Sequence, residues 1–217
     1  MKDNNSKQVL LSVLGVAILV VAVVGVSFAA FQFSQTGAKV NQISTGTITM
    51  TYTEDVNGIN ISNAMPVADN VGKAYTEETG SGDQRYVFDF SVGATISGTT
   101  TINYAITASK EAESTLPDNA VKVYLTDMDD DADTPVSGFE GGTVPTYDTL
   151  EDIGASDASG AQQGQKLLRR GTFTATTTNE YRLRMWVADT YQVQNEAAAQ
   201  TFKLRVNVYG QAEAQSS

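Results

Sequence analysis

Apolar residues recur at every second position through much of this chain, a period that suits strands and excludes amphipathic helices. In Thr47-Ile48-Thr49-Met50-Thr51-Tyr52-Thr53, threonine alternates strictly with larger apolar residues. Tyr86, Phe88, Phe90 and Val92 share one face of the segment from Arg85 to Val92, and Ile102, Tyr104 and Ile106 share one face of Thr101 to Thr107. The segments Tyr181 to Val187 and Phe202 to Tyr209 set a continuous apolar face against one that carries Arg or Lys. Side chains of a strand point alternately to its two sides, so each of these reads as a half-buried strand with one wet face. Gly58 to Ser62, Ala120 to Leu125 and Gly171 to Ala175 are shorter strand candidates. Only Asn195 to Gln200, around three alanines, reads as a helical turn.

About eight or nine short strands joined by turns indicate an all-β chain built as an antiparallel β-sandwich. A jelly roll and an immunoglobulin-like Greek key both satisfy that reading. The longest excursion between strands runs from Asp127 to Ala161, is rich in Asp, Gly, Ser and Pro, and is expected on the surface. Asn63 to Asp69 reads as an ordered loop and Thr76 to Gln84 as a loop or hairpin tip.

The exception to the strand pattern is Val9 to Phe31, uncharged and mostly apolar, behind a leader carrying Lys2 and Lys7. A basic leader, an apolar core and small residues before a cut define a secretory signal peptide, and Ser27 and Ala29 at the −3 and −1 positions place the cut before Ala30. Signal cores run about 7–15 residues and membrane spans about 20, so the stretch is also long enough for a retained anchor. Both readings put the N-terminus inside and the strands outside. The expected organisation is a signal peptide or anchor over 1–29, a linking or donor segment over 30–45, a sandwich domain over 46–210 and a polar tail over 211–217.

The 217 residues carry a net charge of −11 with neither cysteine nor histidine. An acidic surface argues against nucleic acid and against basic docking on an anionic membrane. The fold uses no disulfide although export would permit one. Without histidine there is no Ser-His-Asp triad and no His-Glu-x-x-His zinc site, so a hydrolytic role is not expected.

Asp127, Asp129 and Asp131 have the spacing that opens a calcium loop, but Ala132 stands where such a loop needs glycine and Gly138 where it needs glutamate. A solvated hairpin tip is the simpler reading, with calcium as the one cofactor considered. Asn60-Ile61-Ser62 matches a glycan acceptor but lies in a strand, and no glycan is assigned. Trp186 shares its strand face with Arg182 and Arg184; Arg with an aromatic can form a sugar platform, but the expected reading is that Trp186 covers a second sheet edge or packs under the long loop.

The leader ending in Ala29-Ala30-Phe31, the Ser44-Thr45-Gly46-Thr47 lead-in to the first clear strand, and Ile59-Asn60-Ile61-Ser62-Asn63-Ala64-Met65-Pro66 together resemble the TasA/camelysin family of exported Gram-positive matrix proteins. Ile102-Asn103-Tyr104 sits where that family continues. The resemblance covers Gly25 to Thr107 and beyond that only the order of strands. After Pro66 the family usually has Gly-Asp; this chain has Val67-Ala68-Asp69 and departs from it. The resemblance implies a jelly-roll-like sandwich that assembles into extracellular biofilm fibres, with the mature N-terminus donated to the next subunit. It implies a homopolymer, with Phe31 and Phe33 of the segment Ala30 to Val40 filling pockets on the neighbour. The open alternative is a surface binding module tethered by an uncleaved N-terminal helix.

Overall fold

The alternating segments become strands, most of them longer than the pattern alone marks. The computed structural model describes residues 32–36, 43–45, 48–54, 59, 61–62, 64–80, 85–97, 100–129, 133–192 and 200–214. The cleavage residues Ser27, Ala29 and Ala30, Phe31, Asn60 and most of the expected turn at Asn195 to Gln200 lie outside them. The chain divides into Met1–Gln32 and a compact unit, Phe33–Ser217, that holds the sheets. Among the described residues no helix is long and apolar enough to cross a membrane, and Val9 to Phe31 falls outside that statement.

The strands are β1 (Gln32–Thr36), β2 (Ile43–Thr45), β3 (Ile48–Glu54), β4 (Ile61–Ser62), β5 (Val87–Ile96), β6 (Thr100–Lys110), β7 (Val121–Asp127), β8 (Thr134–Pro135), β9 (Lys166–Phe173), β10 (Thr177–Val187), β11 (Thr201–Phe202) and β12 (Leu204–Ala214). One short helix, α1 (Asp69–Gly72), and two 3-10 turns, η1 (Asp118–Ala120) and η2 (Tyr147–Thr149), lie between them. One sheet has the order β1-β12-β6-β9 and the other β2-β3-β5-β10-β7-β8, while β4 and β11 pair with each other. From β5 onward the chain steps between the sheets almost strand by strand, and the registered pairs within them are antiparallel.

The inner faces meet as the alternation requires. Met50, Tyr52, Phe90, Val92, Leu183 and Leu125 are buried in the six-stranded sheet, Ile102, Tyr104, Ile106 and Val208 in the four-stranded one. The two interlock closely: a Cβ on Gly210 of β12 would lie 2.0 Å from the Met50 sulfur of β3, so any larger residue there requires the end of Met50 to move. Tyr104 stacks on Phe173 at 4.4 Å. A polar seam crosses the core where the Tyr104 and Tyr181 hydroxyls lie 2.9 Å apart and Arg169 Nε donates to Tyr104 Oη at 3.3 Å.

Three features depart from the sequence reading. First, β9 begins at Lys166, five residues ahead of its alternating part, because a bulge shifts the register opposite Ile106 and Thr107. The extra residue breaks period two, which is why Lys166-Leu167-Leu168-Arg169-Arg170 shows no strand pattern. Second, β12 runs through Ala214 with Ala212 opposite Ile102, so the last strand occupies four residues of the expected polar tail. Third, the excursion after Asp127 is not simply surface. Val136, Phe139, Val144, Tyr147, Leu150, Ile153 and Ala161 are buried, and Ile153 and Ala161 pack on Ala105 and Tyr209 on the outer side of the four-stranded sheet. Gln165 Nε2 donates to Tyr209 Oη at 2.9 Å, closing that layer.

Candidate functional site

Two regions carry candidate function: the N-terminal edge of the four-stranded sheet, and the outer face of the six-stranded sheet.

At the first, β1 is the edge strand beside β12. It has five residues against eleven in β12, so it can cover less than half of that strand's length. Phe33 lies within β1. A strand that starts a folded unit and sits at a sheet edge is held on one side only, by backbone hydrogen bonds that any extended segment can reproduce. The far edge of the other sheet is different. There β8 ends in Pro135, which has no N–H to offer a further strand.

On the outer face of β10 stand Arg182, Arg184 and Trp186, expected to be wet apart from the tryptophan. Trp186 is packed, at 0% exposure, as expected, whereas Arg184, at 2%, is a correction to the wet face. The cause is the segment 64–80, which crosses this face. Val67 N–H donates to the Val187 carbonyl at 3.0 Å, and α1 lies directly on the indole. A Cβ on Gly72 would come within 2.1 Å of the Trp186 ring, so the approach requires glycine. Tyr75 and Tyr124 meet the indole edge-on at 6.5 and 6.4 Å. A tryptophan enclosed in this way offers no platform to a sugar. Its indole N–H is buried without an acceptor.

Arg184 ties three segments together. Its Nε donates to the Tyr75 carbonyl at 2.8 Å, one terminal nitrogen reaches Thr126 Oγ1 and Asp133 Oδ1, each at 3.0 Å, and the other pairs with Asp133 Oδ2. Arg182 binds Asp89 at 2.8 and 2.5 Å through Nε and a terminal nitrogen, and the same nitrogen reaches Glu77 at 3.0 Å. Burial alone would raise the Asp89 and Asp133 carboxyls. Hydrogen bonds and charge from Arg182 and Arg184 outweigh it and hold both below the ordinary carboxylate range.

Beside this network the face opens into a pocket of about 450 Å³, lined by Thr53, Glu77, Asp89, Ser91, Glu180 and Arg182 among others. It presents hydroxyls and carboxylates, groups that suit a polar ligand. A second pocket of about 370 Å³ lies along β9, between Phe139, Pro145, Leu150 and Leu168.

The acidic run has structural work among its described members. Asp127 Oδ1 accepts the Asp129 N–H at 3.0 Å, and Asp129 Oδ1 accepts the Glu180 N–H at 2.9 Å. Asp131 lies outside the described residues. Among the described residues no group of three or more acidic side chains is placed to hold a metal ion. The roles of Tyr75, Asp89 and Asp133 were not legible in sequence, since their partners stand about 50 to 110 positions away.

No family model, no curated protein and no solved structure matches this chain.

Proposed function

We propose that this is an exported structural protein of the cell surface or extracellular matrix, assembling into fibres through exchange of its N-terminal strand. The observation that carries the reading is the place of β1: the first strand of the folded unit is an edge strand beside β12. Self-pairing and pairing with a second copy use the same backbone groups, so the segment can be swapped at little cost, and head-to-tail swapping without closure gives an open filament. The strand order supports a jelly roll in particular. The row β1-β12-β6-β9 opposite β5-β10-β7-β8 is that of two nested Greek keys, with β2 and β3 as an extension. The resemblance to TasA/camelysin proteins points the same way.

Negative-stain microscopy of the chain beginning at Ala30, beside one beginning at Val40 that lacks β1, tests the proposal. Filaments from the first and monomers from the second are expected. Monomers from both overturn intrinsic assembly and favour the second reading, a binding module held at the surface by Val9 to Phe31. What supports that reading is the hydroxyl- and carboxylate-lined pocket beside Arg182.

A further inference from the structure

The chain has nine tyrosines and no cysteine, so its phenols are its means of oxidative cross-linking. Two of them are already paired in space. The rings of Tyr75 and Tyr86 lie 5.1 Å apart between centroids, tilted by 37°. Both residues are only partly buried and reach the surface. The other close tyrosine pair, Tyr104 and Tyr181, meets through its hydroxyls in the core, at 3% and 1% exposure, where an outside oxidant has no access. Tyr75 belongs to the segment that covers Trp186, its ring edge-on to the indole and its carbonyl bound by Arg184. Tyr86 immediately precedes β5, and its carbonyl accepts the Met185 N–H at 2.9 Å. Each residue's carbonyl is thus bound to β10, Tyr75 by the Arg184 side chain and Tyr86 by the Met185 N–H, and the pair is positioned before any reaction begins.

We propose that Tyr75 and Tyr86 form an intramolecular dityrosine staple when the protein meets a one-electron oxidant such as a haem peroxidase with hydrogen peroxide. Each phenol gives one electron and its hydroxyl proton to the peroxidase, which reduces peroxide to water. The two phenoxyl radicals join through the ring carbons beside their oxygens, making one carbon–carbon bond. The hydrogens on those carbons then move to the oxygens, restoring both phenols. The net change is loss of two hydrogens. The bond fixes the covering segment to the start of β5 as a disulfide would, in a chain that has none.

The test treats the full chain at low concentration with peroxidase and hydrogen peroxide, with N-acetyltyrosine in a parallel vessel to show that the oxidant is active. Trypsin cuts after Lys73 and Arg85, so the staple appears as peptide 74–85 joined to peptide 86–110 with two hydrogens missing, together with dityrosine fluorescence from the monomer band. Tyr75→Phe and Tyr86→Phe are each expected to lower monomer dityrosine by about tenfold or more, because prior positioning supplies most of the rate. Tyr191→Phe should leave it unchanged. Tyrosine-to-phenylalanine changes keep the rings, and circular dichroism checks that both variants fold. Dityrosine mapped to other tyrosines, a yield confined to dimers, or no product beside an active oxidant overturns the proposal.

Discussion

The two sheets are each roofed on the outside, with a different balance of apolar packing and ion pairing. Over the four-stranded sheet the cover has an apolar centre, with Ile153 and Ala161 on Ala105 and Tyr209 and Gln165 closing the layer, and an ionic margin where Lys166 and Arg170 of β9 pair with Asp152, Glu151 and Asp157. Over the six-stranded sheet, 64–80 lies on Trp186 through Gly72 and Tyr75 and is tied down by two arginines of β10: Arg184, set by Asp133, holds the Tyr75 carbonyl, and Arg182, set by Asp89 of β5, holds Glu77. Apolar burial is indifferent to protons, whereas a cover tied down by arginines depends on the carboxylates that set those arginines staying charged. Two carboxylates held below their ordinary values set the arginines over the six-stranded sheet and one stands over the four-stranded sheet, so acid should loosen the former cover ahead of the latter.

The largest effect should come from Trp186→Ala. Emptying the space beneath α1 is expected to cost ~3–5 kcal/mol in urea unfolding and to expose 64–80 to proteolysis, while the segment around Ile153 stays protected. Equal loosening of both regions would mean that the two roofs are one cooperative layer. Ile153→Ala should cost ~2–4 kcal/mol and reverse the pattern, leaving 64–80 protected.

Acid should produce the smallest and most selective change. The Asp89 and Asp133 carboxyls are held below their unfolded values. Between the two values the unfolded chain binds more protons than the folded one. Stability from these pairs is therefore present above the ordinary carboxylate range and is lost as pH falls through the folded values. Asp157, lowered chiefly by Ser159 and Arg170 against its own burial, adds one such group to the other roof. Hydrogen exchange across an acid titration should show 64–80 opening ahead of 150–165, and Asp89→Asn should flatten part of that dependence. Simultaneous opening would show that Asp157 matters as much as Asp89 and Asp133 together.

How much of this was legible follows the same division. The alternation marks β3, β5, β6, β10 and β12 because one side of each faces the core and period two survives. It does not reveal that the second side is also covered. Arg184 and Tyr209 look like a solvated face in sequence and are both buried, because Tyr75 and Asp133 meet the one and Gln165 the other from segments outside the sheet. The apolar residues of 136–161 carry no period, since each fills a different gap. The bulge in β9 sets Leu167 and Leu168 side by side, and β4 and β11 have only two residues each, too short for any pattern to register. At the candidate site, the place of β1 at an edge and the salt bridges of Arg182 and Arg184 needed the folded chain. The cleavage residues and Phe31 lie outside what it describes.

Pro135 has a consequence for behaviour in a crowd. A sheet whose last strand ends in an imide ring is closed to recruitment on that flank, because an approaching backbone finds no donor there. Collisions between copies are thereby directed away from that side, and a dense suspension of this protein has one fewer route into disordered, amyloid-like stacking.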